Sequence, residues 1–271
     1  MPTERFHLAG AEILVGIDID ETLHIAAGQF TALARKVSAE SGGVNVALSG
    51  GSTPRRLFQL LAAEPFAGLV PWNSTHFFWV DERNVPPGNP ESNYFMAQQL
   101  LLSQVPVPPA NIHRIPTGDG TALEAADLYE RILREKLPLA HGLPRFDYAL
   151  LGLGAHGHTA SLFPNRPTLH ERHRLVVADH VDELNSWRVT LTAPILNNAA
   201  QIAFLVMGED KASIVGQVIG GPRNPEAMPA QLIAPADGTL TWILDSTAAS
   251  LLARPAPRQK TPSAAVPKRE D

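Results

Sequence analysis

His156 and His158 flank a single glycine in the run Gly152-Leu153-Gly154-Ala155-His156-Gly157-His158. An imidazole titrates near pH 6.5 when unperturbed, so a histidine held at a ligand crevice can take up and return a proton at neutral pH. A lone histidine is more often structural. His158 is nevertheless the candidate acid–base group, because it follows a glycine turn that itself follows the apolar run 146–151. A run that apolar reads as a strand buried on both faces of a parallel sheet, where ligands gather at the C-terminal strand ends.

Other loops offer charge recognition. Val44-Asn45-Val46-Ala47-Leu48 opens into Ser49-Gly50-Gly51-Ser52-Thr53-Pro54 and a helical run, with Thr53 placed as N-cap and Pro54 as first helical residue. Gly50 and Gly51 let a ligand approach the backbone, and Ser52 and Thr53 would sit at a helix N-terminus suited to an anion. The run 75–80 ends in Asp81-Glu82-Arg83, with Ser92-Asn93-Tyr94 opening the next helix. Arg188 stands in the otherwise apolar or β-branched run 187–192, and Lys211 opens the helix after 201–206. Each could be a plain ion-pair partner; together they suit a phosphorylated or carboxylated ligand.

Several chemistries are excluded or disfavoured. The phosphate loop lacks the Gly-Lys-Ser/Thr of a Walker motif. Gly152-Leu153-Gly154-Ala155-His156-Gly157 matches the dinucleotide spacing, with Asp179 about 20 residues on. Only six residues separate Gly157 from Pro164, too few for the crossover helix that such a unit needs. Six of the ten histidines fall between His141 and His180, but their spacing is irregular and no His-Glu-x-x-His pair exists. No metal site is expected. With no cysteine, thiolate chemistry and disulfides are excluded.

The elements that must position these loops alternate. Apolar runs at 44–48, 75–80, 146–151, 187–192, 201–206 and 240–244 are interleaved with helical patterns at 20–41, 54–63, 92–102, 121–137, 194–199 and 210–219. The expectation is an α/β fold, a single domain with a mostly parallel, Rossmann-like sheet flanked by helices. The helix at 121–137 begins with Thr121 as cap and Glu124 three positions later, Pro138 stops it, and Leu123, Ala126, Tyr129 or Glu130, and Leu133 form the spacing of its expected sheet-facing stripe.

In 271 residues, 44% hydrophobic and 18% charged, the chain can bury one large core. The expected domain is 1–252, followed by a proline-rich, disordered tail over 253–271. The stretch from Arg254 onward holds five basic and two acidic residues, which leaves −8 of the net −5 on the remainder, a poor balance for nucleic acid. The N-terminus lacks a charged-then-apolar leader, and nowhere do 18 apolar residues run together. The expectation is a cytoplasmic protein that engages no membrane and is a monomer or weak homodimer.

Taken in order, Leu48 to Pro54, Trp79 to Pro86 with Ser92-Asn93-Tyr94, Leu151 to Pro164, Arg188 to Thr192 with Gly208 to Ala212, and Pro229 to Leu232 with Leu240 to Asp245 resemble the 6-phosphogluconolactonase family, within the group that includes glucosamine-6-phosphate deaminases. The resemblance spans about residues 10–250. It implies hydrolysis of 6-phosphoglucono-1,5-lactone without a cofactor, the partner being that small phosphosugar lactone. It makes His158 the general base. Ser52 and Thr53, with Arg188 and Lys211, would hold the 6-phosphate, and Asp81, Arg83 and Asn93 would line or shape the sugar site. The family reads Asp-Gly-His where this chain reads His156-Gly157-His158, so an imidazole replaces a carboxylate. Ala234 stands where relatives often carry a basic residue. A deaminase-like enzyme and a phosphosugar binder without turnover are the alternatives.

Overall fold

The computed structural model describes residues 2–254, so the part of the expected tail from 255 to 271 lies outside the described residues. The chain enters as an antiparallel hairpin absent from the sequence reading, β1 (Glu4–Leu8) and β2 (Ala11–Gly16). Helix α1 (Ile19–Ser41) starts where the Asp18 carboxylate accepts from the Glu21 N–H and ends at Gly42, whose φ of 78° needs no Cβ. After β3 (Val44–Leu48), α2 (Ser52–Leu61) and the one-turn α3 (Phe66–Leu69), β4 (Thr75–Trp79) pairs parallel with β3. The chain then passes through Val80 into β5 (Asp81–Arg83), α4 (Asn93–Ala97) and α5 (Ala122–Lys136). The short strands β6 (Leu139–Ala140) and β7 (Leu143–Pro144) precede β8 (Tyr148–Leu151), β9 (Val176–Val181) and β10 (Ser186–Leu191). Last come α6 (Ala193–Asn197), β11 (Gln201–Val206), α7 (Ala212–Gly220) and β12 (Thr239–Asp245).

Seven strands form the main sheet in the order β1-β2-β12-β11-β8-β3-β4, parallel from β2 to β4. All four residues of β8 are buried, as are five of six in β11, as strands covered on both faces require. The architecture is the α/β, mostly parallel sheet with helices that the alternation of apolar and helical runs implies.

Three details differ from the sequence reading. The run 187–192 is not part of the main sheet: β10 lies between β5 and β9 in a separate antiparallel sheet. Only residues 182–185 join β9 to β10, too short for the crossover of a parallel pair, and Asn185 turns the chain at φ 42°. Helix α2 begins at Ser52, with Gly51 rather than Thr53 as cap, because Gly51 at φ 106° and ψ 179° turns the chain two residues earlier. Pro54 still falls in the first turn, where its missing N–H has no partner to lose. In α5 the capping box forms, but Leu123 is 54% exposed, and Ala122, Ala125, Ala126, Tyr129 and Leu133 make the buried stripe.

Candidate active site

A crevice of about 390 Å³ opens beyond the C-terminal ends of β3, β4, β8 and β11. All eleven residues singled out from sequence line it. Gly50, Gly51, Ser52 and Thr53 come from the β3–α2 loop; Asp81 and Arg83 from β5; Asn93 from α4; His156 and His158 from the loop after β8; Arg188 from β10; Lys211 from the turn after β11. The crevice is therefore a seam between the two sheets.

One wall is assembled by close approach. A Cβ on Gly50 would lie 1.7 Å from Asn93 Oδ1, so only glycine lets the Asn93 amide dock against this loop. Asn93 Nδ2 in turn donates to the Asp81 carbonyl at 2.9 Å and to Asp81 Oδ1 at 3.3 Å. Ser161 Oγ donates to Asp81 Oδ2 at 2.6 Å, giving this 8% exposed carboxylate donors on both oxygens. Loops from three strands meet at that one group.

The cations are arranged against one another. Arg83 and Arg188 sit directly opposite in the β5–β10 register, a like-charge cross-strand pair that is unfavourable by itself. Among the described residues neither guanidinium forms an ion pair. Arg83 Nη1 donates to the Glu91 carbonyl, but the buried Nε atoms of both arginines have no partner. Burial first and Arg83 second push the Arg188 pKa down. Lys211 has only the exposed Asp210 carboxylate at 3.9 Å. Cations arranged this way suit an anionic ligand.

The His158 ring is held between two faces. A Cβ on Gly154 would come within 1.9 Å of His158 Cε1, so the imidazole lies against the bare glycine, and on its other side Phe163 stacks at 4.2 Å between centroids. The loop is fastened by the Gly154 N–H donating to the His158 carbonyl at 2.8 Å and the Ala230 N–H donating to Gly157 at 2.8 Å. Gly157 takes φ 71°, a turn that a β-carbon would strain. Burial, then the neighbouring His156, Lys211 and Arg188, lower the His158 pKa to about 4, so the ring is neutral at pH 7. Its Nδ1 is buried without a partner, which leaves Nε2 to serve the crevice.

Residues not selected from sequence support these groups. Ser161 lay inside the motif around His158 but carried no signal of its own, since its value comes from a carboxylate 80 residues away. Tyr129, fully buried on α5, accepts from the Trp79 N–H at 2.8 Å and donates to the Trp79 carbonyl at 3.0 Å, bracing the chain just before it enters β5. Glu82 is 1% exposed on the side of β5 away from the crevice, and burial pushes its pKa up against the pull of its hydrogen-bond donors. Asp179 binds Arg166 at 2.9 Å, and no helix separates Gly157 from Pro164, so the dinucleotide spacing has no structural counterpart. Among the described residues no cluster of His, Cys, Asp and Glu could hold a metal ion, and no helix is long and apolar enough to cross a membrane.

The chain and its fold have close counterparts among known proteins. The family described as glucosamine-6-phosphate isomerases/6-phosphogluconolactonase matches residues 18–242. A 6-phosphogluconolactonase of Synechocystis is 41% identical over 214 residues, 79% of this chain and 86% of its own. That of Haemophilus influenzae is 39% identical over 209 residues, 77% and 88% of the two chains. The solved 6-phosphogluconolactonase of Trypanosoma brucei superposes with a TM-score of 0.81 at 27% identity, covering 91% of this chain and all of that one. Fold, crevice and relatives define a carboxylic ester hydrolase. The chain belongs to the glucosamine-6-phosphate isomerase/6-phosphogluconolactonase family, on its lactonase side.

Proposed function

We propose that the protein hydrolyses 6-phosphoglucono-1,5-lactone to 6-phosphogluconate with His158 as general base. The observation that carries this reading is one crevice holding a neutral, sandwiched imidazole beside two opposed arginines that form no ion pair with any described carboxylate. The phosphate dianion relieves the Arg83–Arg188 repulsion, with Lys211 and the uncapped start of α2 at Ser52 and Thr53 as further partners. Anchored at that end, the lactone presents C1 to a water beside His158 Nε2. The imidazole takes a proton as the water oxygen bonds to C1. The C1–O5 bond then breaks, O5 receives that proton, and the ring opens to the carboxylic acid, which ionises. Asp81 and Asn93 hold the sugar hydroxyls in this scheme.

The test is lactone hydrolysis by the purified protein, corrected for the spontaneous reaction. Wild type should exceed the blank and His158→Ala should fall about 10²- to 10⁴-fold, the usual worth of a general base. The reading fails if the two proteins both match the blank.

A further inference from the structure

Glu82 does not line the crevice, yet more of the site hangs on it than on any residue that does. Side chains alternate along a strand, so in β5 Asp81 and Arg83 face the crevice and Glu82 faces the opposite way. There its carboxylate collects four donors. Oε1 accepts from the Arg83 N–H at 2.8 Å and the Asn93 N–H at 2.7 Å; Oε2 accepts from Ser92 Oγ at 2.8 Å and the Tyr94 N–H at 2.8 Å.

Three of those donors open α4, which runs on without a break as a π-helical stretch to Leu102, so Glu82 satisfies N-terminal donors that the helix itself cannot. Ser92 Oγ also accepts from the Phe95 N–H at 3.1 Å, so the same hydroxyl caps the helix and ties it to Glu82. The segment held this way makes three contacts with the site. The Glu91 carbonyl accepts from Arg83, Asn93 Nδ2 donates to Asp81, and the Asn93 amide packs on Gly50. No ion pair involves Glu82 among the described residues, which leaves hydrogen bonding to this segment as the use of a buried carboxylate.

We propose that Glu82 is a positioning residue for the lactonase reaction: it pins residues 91–94 to β5 and, through Asn93 and the Glu91 carbonyl, aims the Asp81 carboxylate and the Arg83 guanidinium at the substrate. This rests on the function proposed above. Glutamine in its place keeps the shape but swaps one acceptor oxygen for a donor nitrogen, so two of the four donors lose their acceptor.

The experiment compares wild type, Glu82→Gln, Asn93→Ala and the double variant at a temperature well below the melting point of each. Asp147→Asn is the control for a purely structural loss, since Asp147 Oδ2 accepts from Asn45 N at 2.7 Å at the start of β3, the end away from the crevice. Glu82→Gln is expected to lower kcat/KM about 30- to 100-fold, as misplacement of about 1 Å does, with Asp147→Asn within about threefold of wild type. Because Glu82 acts in large part through Asn93, the loss in the double variant should fall well short of the product of the two single losses. The inference is overturned if folded Glu82→Gln stays within about threefold of wild type, or if the two losses multiply. Should Glu82→Gln fail to fold, Glu82→Asp, one methylene short of its donors, serves with the same thresholds. If wild type shows no turnover, the proposed function falls, and calorimetric titration with 6-phosphogluconate decides Glu82 separately: an affinity loss of tenfold or more supports it and an unchanged affinity refutes it.

Discussion

Replacing Gly154 by alanine isolates the placement of the His158 ring from every other property of the site. The φ of Gly154 lies outside the left-handed region, so alanine meets no backbone objection there. The new Cβ would, however, stand 1.9 Å from His158 Cε1 and 2.3 Å from both ring nitrogens, whereas ordinary contact begins at 3.4 Å. The ring must therefore withdraw by about 1.5 Å, and Phe163 stacked behind it at 4.2 Å obstructs the direct retreat. A displacement of about 1 Å costs about 10² in rate, and complete loss of a general base about 10²–10⁴. Gly154→Ala should thus lose about 10²–10⁴ in kcat with little change in KM, because the arginines and the β3–α2 loop are untouched. Overpacking adds a stability loss of about 1–3 kcal/mol. The assay is lactone hydrolysis above the blank, with Gly28→Ala as control, since a Cβ there meets nothing within 4 Å and α1 does not line the crevice. Activity of Gly154→Ala within threefold of wild type would refute the placement of His158 as base.

Acidification gives a second test: with the His158 pKa near 4, the acid limb of kcat/KM should lie close to pH 4 instead of 6.5. Stability should already decline from pH 6.5 downward, because the unfolded histidine binds a proton there and the folded one does not; His158 alone contributes about 1.4 kcal/mol per pH unit, and His76 and His113 shift the same way. Melting curves that stay flat from pH 7 to 5 would contradict this. Arg188→Met should raise the KM for the lactone about 10- to 100-fold while leaving the melting temperature equal or higher, since it removes one of two opposed cations; an unchanged KM together with a lower melting temperature would reverse the assignment. His156→Asp replaces a group that depresses the His158 pKa by one that raises it, so the acid limb should move up by about one pH unit. An identical pH profile would remove His156 from any electrostatic role.

Much of this architecture was legible because it is written in local pattern. The capping box at Thr121 satisfies its backbone groups within three residues of sequence, and the apolar run that became β8 shows its burial by composition alone, although its partners β3 and β11 are distant in the chain. Loops that follow parallel strands gather at one edge, which is why most of the eleven residues, chosen from six segments, share a crevice. What stayed hidden depends on distance along the chain. β5 is three charged residues long and is a strand only because β10, a hundred residues later, pairs with it. Glu82 reads as one of three solvated charges until Ser92, Asn93 and Tyr94 are folded onto it. The Gly51 cap was misread for another reason: Thr53-Pro54 is a sound start signal, and a backbone angle open chiefly to glycine overrode it.

The passage through Val80 bears on how ligand is captured. Its N–H donates to the Leu48 carbonyl in the main sheet at 2.9 Å, its carbonyl accepts from the Leu191 N–H in the small sheet at 2.8 Å, and Tyr129 occupies both backbone groups of Trp79 just before it. Val80 thus ties the two sheets together through its own backbone, alongside the Ser161 contacts to Asp81 and Thr190. A ligand seated at this seam would meet charges already in place, with little to order on binding.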